Sequence, residues 1–358
     1  MGAGGLSRRD RNMWIRNAWY VAAWAKQVTE GEPFARIYLD EPVVLYRTTD
    51  GAVTALEDRC CHRLAPLSRG RIEGDNLRCM YHGLMFDPSG ACVEIPGETR
   101  IPEKYRVRRY PVVERQNVIW IWMGDEALAD PGDIIDWPYL DDPAWPYEGG
   151  YLHYKSNYQL IVDNFLDFSH LPYVHEKTIG TASYAEQRPR ITHTDFGLHI
   201  ENTTDDTPPT PAFAPFGNFA GNVDRWSIYD FHIRGNCVVA DFGMAPVGGG
   251  GHAGDRRNAI QFRHLSALTP ETANTCHYHF AQPRDFGLDA EGLDRKVLDV
   301  VVKAFHEDKD IIEAQQIVID LDRDAPMLPL EVDRALLPVL RQIARMIAAE
   351  TPVSVAAE

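Results

Sequence analysis

Two groups of side chains in this 358-residue chain have the types and spacing to bind metal. In the first, Cys60-Cys61-His62 is followed by Cys79-Met80-Tyr81-His82, so a C-x-H pair and a C-x-x-H pair stand on two neighbouring stretches. Thiolates and imidazoles on two short loops can converge on one centre, and they suit either a tetrahedral zinc or an iron–sulfur cluster. In the second, the stretch from Asp163 to His175 sets Asn164, Asp167 and His170 at successive i, i+3 positions. At ~100° per residue these three share one flank of a helix. His175 misses that flank in a regular helix, and Pro172 supplies the break that can bring it round. A histidine pair alone could be structural, so a third ligand is needed. In a helix over 291–320, Val297, Val301, Ala304, Phe305 and Ile312 form one apolar stripe with Asp308 near its centre, whereas Glu307, Asp310 and Glu313 point away. A carboxylate on a buried face requires a partner, either a buried arginine or a metal.

Spacing separates the alternatives for the first group. Zinc ribbons usually use C-x-x-C, whereas C-x-H paired with C-x-x-H is the spacing of a Rieske [2Fe–2S] centre. Cys60 and Cys79 then hold one iron, and His62 and His82 the other. Neutral imidazoles in place of two thiolates raise the potential to roughly −150 to +300 mV, against about −400 mV for an all-cysteine plant-type cluster. Cys61, between two ligands, points away if the loop presents alternate residues, and it reads as a packing residue, as do Cys92, Cys237 and Cys276. In the second group, two histidines and one carboxylate make a facial triad with positions left open for dioxygen. His170, His175 and Asp308 are the candidates for that iron.

The elements that position these residues differ in kind. From Phe34 to Met123 the chain reads as short strands with turns: Pro42–Tyr46 and Ala52–Leu56 flank Asp50-Gly51, a hairpin signal, and Val118–Met123 suits a buried strand. This is a small β domain, taken as residues 1–130 with its cluster loops at 60–82. Residues 131–150, rich in Pro, Asp and Gly, form a connecting segment. Residues 151–358 form a second domain: a helix over Asn157–Leu171, strands near 190–201, 226–234, 237–245, 258–267 and 275–281, and helices over 291–320 and 331–349. The expected class is α+β, with helices gripping an antiparallel sheet.

Composition narrows the partners. With 52 acidic against 36 basic side chains the formal charge is −16, which argues against nucleic acid or an anionic membrane as partner. Six cysteines are too few for a disulfide scaffold, and a reducing compartment fits better. Ser7-Arg8-Arg9 begins like a twin-arginine signal, but no apolar run follows; Leu6 stands where a myristoylation site needs Ser or Thr. A cytoplasmic location is expected. Gly249, Gly251 and Gly254 satisfy G-x-G-x-x-G, but strand-like segments lie on both sides where a dinucleotide site needs a following helix, so the patch reads as a loop. NADH is therefore expected only indirectly, through a separate protein.

With both metal groups in place, the chain resembles the Rieske non-haem iron oxygenases over nearly its whole length, in particular the branch of the vanillate O-demethylase and dicamba monooxygenase oxygenase components. The resemblance is carried by Arg16–Ala23, Cys60–Arg69, Cys79–Asp87, Val118–Asp125, Asn164–His175 and Glu307-Asp308-Lys309. Cys61 departs from the family, which commonly has proline there. The resemblance implies a terminal oxygenase fed by a flavin reductase, with or without a ferredoxin, and acting with O2 on an aromatic compound by O-demethylation or N-dealkylation. Hydroxylation of a ring or methyl group without dealkylation is the alternative; an electron carrier or structural metal protein is a third. It further implies that Asp167 bridges His82 of one subunit to His170 of the next in a head-to-tail trimer, and that Asn164 is a polar neighbour of the iron. His232, His264, Arg263, Asn218 and Asn236 are available as substrate anchors, and the sequence does not choose among them.

Overall fold

The computed structural model describes residues 14–185, 189–249, 251–334 and 336–350. The N-terminal arginine pair and the Met1-Gly2 start lie outside the described residues. The chain divides into two compact units, one of residues 16–136 with 269–272 and one of residues 137–268 with 273 onward.

The first unit is built from β1 (Trp19–Trp24), β2 (Phe34–Tyr38), β3 (Glu41–Arg47), β4 (Val53–Glu57), β5 (Arg71–Glu73), β6 (Asn76–Arg78), β7 (Met85–Phe86), β8 (Cys92–Glu94), β9 (Arg109–Tyr110), β10 (Val112–Arg115) and β11 (Val118–Trp122). They form three sheets in the orders β1-β11-β10, β2-β3-β4-β9 and β5-β6-β7-β8. The expected hairpin is β3–β4, turned at Gly51 with φ +86°, a conformation glycine adopts without strain. All five residues of β11 are buried, as a β-branched and aromatic run without alternation should be. Cys60 and Cys79 sit in one apolar cluster with Tyr46, Leu67, Leu77, Leu84 and Phe86.

The second unit contains β12 (Gly150–Tyr154), α1 (Tyr158–Leu166), α2 (Leu171–Val174), β13 (Arg190–His193), β14 (Gly197–Thr207), β15 (Val223–His232), β16 (Cys237–Pro246), β17 (Ile260–Thr272), β18 (Thr275–Ala281), α3 (Leu293–Leu321) and α4 (Leu336–Glu350). The strands make one sheet in the order β12-β18-β17-β16-β15-β14-β13. Two residues join β17 to β18, which only an antiparallel pair permits. The class is α+β, as expected. The glycine patch lies between β16 and β17, so strands flank it on both sides.

Three local expectations need correction. The helix expected over Asn157–Leu171 stops at Leu166, because Asp167 takes an extended conformation (φ −110°, ψ 121°) as its C-cap. A short strand, β12, not expected from the sequence, occupies Gly150–Tyr154 across the boundary between connecting segment and second domain. Cys61 is exposed, not packed, whereas Cys92, Cys237 and Cys276 are buried.

The long helix α3 buries Val297, Leu298, Val301, Ala304, Asp308, Ile312 and Gln316, a stripe at the i, i+3, i+4 spacing of one helix face. Phe305 packs on Tyr278 and Phe280 of β18, with ring centroids 5.2 and 4.9 Å apart. Three hydrogen bonds fix the register of β12 and α1 along α3: Tyr154 Oη to the Phe305 carbonyl (3.1 Å), Lys155 N–H to Glu313 Oε1 (2.7 Å) and Asn157 N–H to Gln316 Oε1 (2.8 Å). Asn157 also caps α1 by accepting from the Gln159 N–H.

Candidate metal centres

The two cysteine loops close in the same way although their histidines are spaced differently. The Cys60 N–H donates to the Ala65 carbonyl and the Leu64 N–H to the Cys60 carbonyl, both at 2.9 Å; the Cys79 N–H donates to Leu84 and the Gly83 N–H to Cys79, at 2.8 and 3.0 Å. The residue four after each cysteine has positive φ, 59° at Leu64 and 81° at Gly83. A Cβ on Gly83 would also stand 2.7 Å from Pro96 Cγ, so glycine is needed there on two counts. Arg78, directly before Cys79, ties the second loop to β5 and β8 by donating to the Gly83 carbonyl (2.8 Å), to both Glu73 oxygens (2.8 Å) and to Glu94 (3.0 Å).

In this frame Cys60 and Cys79 are buried while His62 and His82 are exposed, with ring centroids 4.5 Å apart. Burial, then the neighbouring Cys79 thiol, push the Cys60 thiol up to about 12 against a hydrogen bond from the His62 N–H. A buried thiol of that kind carries its proton until a metal displaces it. Two buried sulfurs beside two outward imidazoles fit a cluster with one thiolate-bound and one imidazole-bound iron.

In the second unit His170, His175 and Asp308 each offer one ligand atom, all within 4.8 Å of one another. Asp308 Oδ1 lies 3.0 Å from His175 Nε2 and 3.5 Å from His170 Nε2. Two donors held about 2.1 Å from one ion are separated by about 3.0–3.4 Å, so a first-row divalent cation fits among these atoms. His175 Nε2 is buried and makes no hydrogen bond, the condition of a nitrogen waiting for a ligand. Asn164 Nδ2 stands 3.2 Å from His170 Nε2 and donates to Asp308 Oδ1 at 2.9 Å. Burial opposes the Asp308 charge, but His170 and His175 outweigh it and hold the carboxyl down to about 2. Burial likewise opposes a charged His170, yet Asp167 and Asp308 push it up to about 9.

The four residues of the Asn164 segment gather for a different reason from the one the spacing suggested. Only Asn164 is helical; Asp167 ends α1, its Oδ1 accepting from the Ser169 N–H (2.7 Å) while its Oδ2 lies 3.5 Å from His170 Nδ1. His170 and His175 are the N-cap and C-cap of the short α2, with Pro172 inside its first turn. A tight turn before α2, rather than a continuous helix face, aims the two imidazoles at Asp308.

Glu307 is a correction. It does not point away: its Oε2 accepts from His175 Nδ1 at 2.9 Å and from Thr178 Oγ1 at 2.5 Å. The carboxylate fixes the tautomer that leaves His175 Nε2 unprotonated for metal. Its signal in the sequence was adjacency to Asp308, which a helical wheel assigns to a different face but a half-buried helix flank can still use. Among the suggested anchors, His264 is buried with an unpartnered Nδ1, Asn236 is buried in a turn, Arg263 is paired with Asp241, His232 stacks on Phe196 and Asn218 is exposed.

Residues 18–111 match the Rieske [2Fe-2S] domain, and residues 154–349 match the vanillate O-demethylase oxygenase C-terminal domain. The chain is 48% identical over 328 residues to the iron-sulfur subunit TsaM1 of the toluene-4-sulfonate monooxygenase system of Comamonas testosteroni, covering 90% of this chain and 94% of the relative. It is 38% identical over 338 residues to the oxygenase component of dicamba O-demethylase of Stenotrophomonas maltophilia, covering 93% and 97%. The crystal structure of dicamba monooxygenase bound to 3,6-dichlorosalicylic acid superposes with a TM-score of 0.86 at 36% identity, covering 94% of this chain and 99% of the other. The structure of that enzyme with non-haem iron and dicamba gives 0.75 at 34% identity, covering 94% and 98%. No helix among the described residues is long and apolar enough to cross a membrane.

Proposed function

The chain belongs to the Rieske non-haem iron oxygenases with a vanillate O-demethylase type of catalytic domain, and on that premise we propose that it oxidises an alkyl group carried by an aromatic compound, by O-demethylation or N-dealkylation. It is the oxygenase component of a multicomponent monooxygenase and draws electrons from a partner protein. The observation that carries the reading is the coexistence, in one chain, of paired C-x-H and C-x-x-H loops with a His170, His175, Asp308 cage. We assign residues 1–130 to the cluster domain, 131–150 to the connection and 151–358 to the catalytic domain.

We assign Cys60, His62, Cys79 and His82 to the [2Fe–2S] cluster and His170, His175 and Asp308 to the mononuclear iron. When bound, the cluster relays electrons and the ferrous ion activates dioxygen, the cofactors supplying chemistry that side chains lack. The chain's own work is to hold these groups and to orient what surrounds them. Glu307 and Thr178 orient His175; Asn164 presents an amide to both His170 and Asp308; Asp167 sits beside His170 Nδ1. We infer a head-to-tail ring, in which the exposed His82 of one copy meets Asp167 of the next. Support comes from the exposure of the cluster histidines and of Tyr173, 79% exposed beside the iron-ligand turn, because heterologous contacts of this kind close into rings. NADH enters through a flavin reductase, with or without a ferredoxin, and six cysteines with no disulfide between them suit the cytoplasm.

Oxidising the carbon next to oxygen or nitrogen gives a hemiacetal or hemiaminal that collapses and releases an aldehyde. A second reading, hydroxylation of a methyl group bonded directly to the ring, is favoured by the 48% identity to a toluene-4-sulfonate monooxygenase subunit. The two are separated by a reconstituted assay with a surrogate reductase on methoxybenzoates, N-alkyl anilides and toluene-4-sulfonate. Formaldehyde released in step with NADH consumption supports dealkylation. Benzylic alcohol without aldehyde loss from any heteroatom substrate replaces it with methyl hydroxylation.

A further inference from the structure

Arg225 is a charge that the fold buries with no opposite charge beside it among the described residues. It is only 5% exposed, on β15, and its guanidinium donates to two neutral hydroxyls: Nη1 to Thr181 Oγ1 (3.1 Å) and Nη2 to Ser183 Oγ (3.0 Å). Its flat face lies 4.2 Å over the ring of Tyr184. Arg284, the other buried arginine among the described residues, is paired with Asp294 at 2.7 Å, and Arg256 and Arg263 share Asp241. No carboxylate among the described residues pairs with Arg225. The neighbouring Asp224 is engaged elsewhere, accepting from the Asp206 and Gly248 N–H groups. Burying a guanidinium is costly unless an anion meets it, and its planar fork matches a carboxylate or sulfonate.

The position of Arg225 says which anion. Along a strand alternate side chains share a face, so Arg225, Ser227 and Tyr229 point to one side of the sheet. Tyr229 packs on Phe168 (5.3 Å), which stands between Asp167 and Ser169 in the iron-ligand turn. Cross-strand partners continue that face with Phe242 opposite Ser227 and Phe262 beyond it. Thr181 and Ser183 belong to the segment that leaves His175, held by Gly180 N–H to the His175 carbonyl (3.0 Å) and by Thr178 to Glu307. One face therefore carries the iron-ligand turn against Tyr229, aromatic rings along it and, at Arg225, a cation that no carboxylate among the described residues pairs.

We infer that Arg225, cradled by Thr181 and Ser183, is an anion subsite that receives the sulfonate or carboxylate of an aromatic substrate whose alkyl group is turned toward the metal cage. The inference rests on the oxygenase reading and adds the charge class of the substrate. The test is calorimetric binding to the holoenzyme of toluene-4-sulfonate and of its neutral isostere toluene-4-sulfonamide, with product analysis of both. Wild-type protein is expected to prefer the sulfonate. In Arg225→Gln the ratio of the two affinities should fall about tenfold to a hundredfold, the loss expected for charge-assisted hydrogen bonds. Arg225→Lys should recover part of the ratio, and Ser183→Ala should lower it less. If Arg225→Gln does not fold, the Lys and Ser183 variants carry the comparison. Equal affinity of the wild type for the two probes, or equal losses for both in the Arg225 variants, overturns the subsite. Arg225-dependent sulfonate binding without any oxidised product leaves the subsite standing and removes the reaction proposed above.

Discussion

The cluster loops and the iron cage both use a pair of histidines, joined by two cysteines in one and an aspartate in the other, but they assemble their ligands over different distances along the chain. Cys60 and Cys79 are brought together by two short loops, each closed by its own pair of backbone hydrogen bonds and packed into one apolar cluster. Asp308 reaches its histidines only because α3 docks on the sheet; Asn164 and Asp308, which share a hydrogen bond, are 144 residues apart in sequence. In the first case local backbone geometry positions the ligands. In the second, three hydrogen bonds along β12 and α1 and an aromatic seam around Phe305 do so. A local site should therefore fail through its own loops, and a tertiary site through its supports.

The largest break in that comparison comes from removing ligands. Asp308→Ala should abolish turnover by more than about a thousandfold while leaving the visible spectrum of the cluster intact; loss of both signals together would show that the sites depend on one another. The reciprocal variant, Cys79→Ala, should bleach the cluster and leave a divalent ion bound at His170, His175 and Asp308, as metal analysis would report. Next comes Glu307→Gln, which keeps the shape beside His175 but weakens the hold on its Nδ1–H. Losses of 10–100-fold in metal affinity are usual for such outer partners. Chelator competition should show that loss with an unchanged cluster spectrum. If affinity is unchanged, Glu307 is only a helix-surface charge.

A smaller effect should separate the supports of the first region. Arg78→Ala removes the link between the second loop and Glu73 and Glu94, so cluster loss on mild heating should quicken several-fold while iron affinity is untouched. Smaller still is a pH effect confined to the second region. In protein stripped of mononuclear iron, His170 is raised from its ordinary 6.5 to about 9. The associated stability is fully present below pH 6.5 and is lost as pH rises through 9. The melting temperature should fall by roughly a few degrees over that range. Metal binding needs the neutral imidazole, so affinity for a divalent ion should rise over the same range. A metal-free protein whose melting point climbs between pH 6.5 and 9 would contradict the His170 environment described above.

Much of this is legible in the sequence because its signals are periodic or local. The C-x-H and C-x-x-H spacings name a cluster without any fold, and the apolar stripe picks Asp308 out of the four carboxylates between 307 and 313. The helix expected over Asn157–Leu171 ends at Leu166, because i, i+3 spacing also describes residues gathered by a turn, and Asp167 terminates α1 by adopting an extended backbone. A helical wheel turns Glu307 away from the face of Asp308. A wheel does not contain Thr178 and His175, which come to that flank from another element. Arg225 gave no signal at all, since an arginine among strand residues looks like an ordinary surface charge until its neighbours are known.

What the sequence by itself determined is the chemistry: ligand types and spacings are covalent facts, and a hydrophobic period survives whatever the chain folds against. What only the tertiary structure decided is which side chains serve those ligands. Hydrogen bonds such as His175 Nδ1–H to Glu307, and the absence of a carboxylate beside Arg225 among the described residues, depend on distances of about 3 Å between residues remote in sequence. No spacing along one chain encodes those distances until helix and sheet have packed.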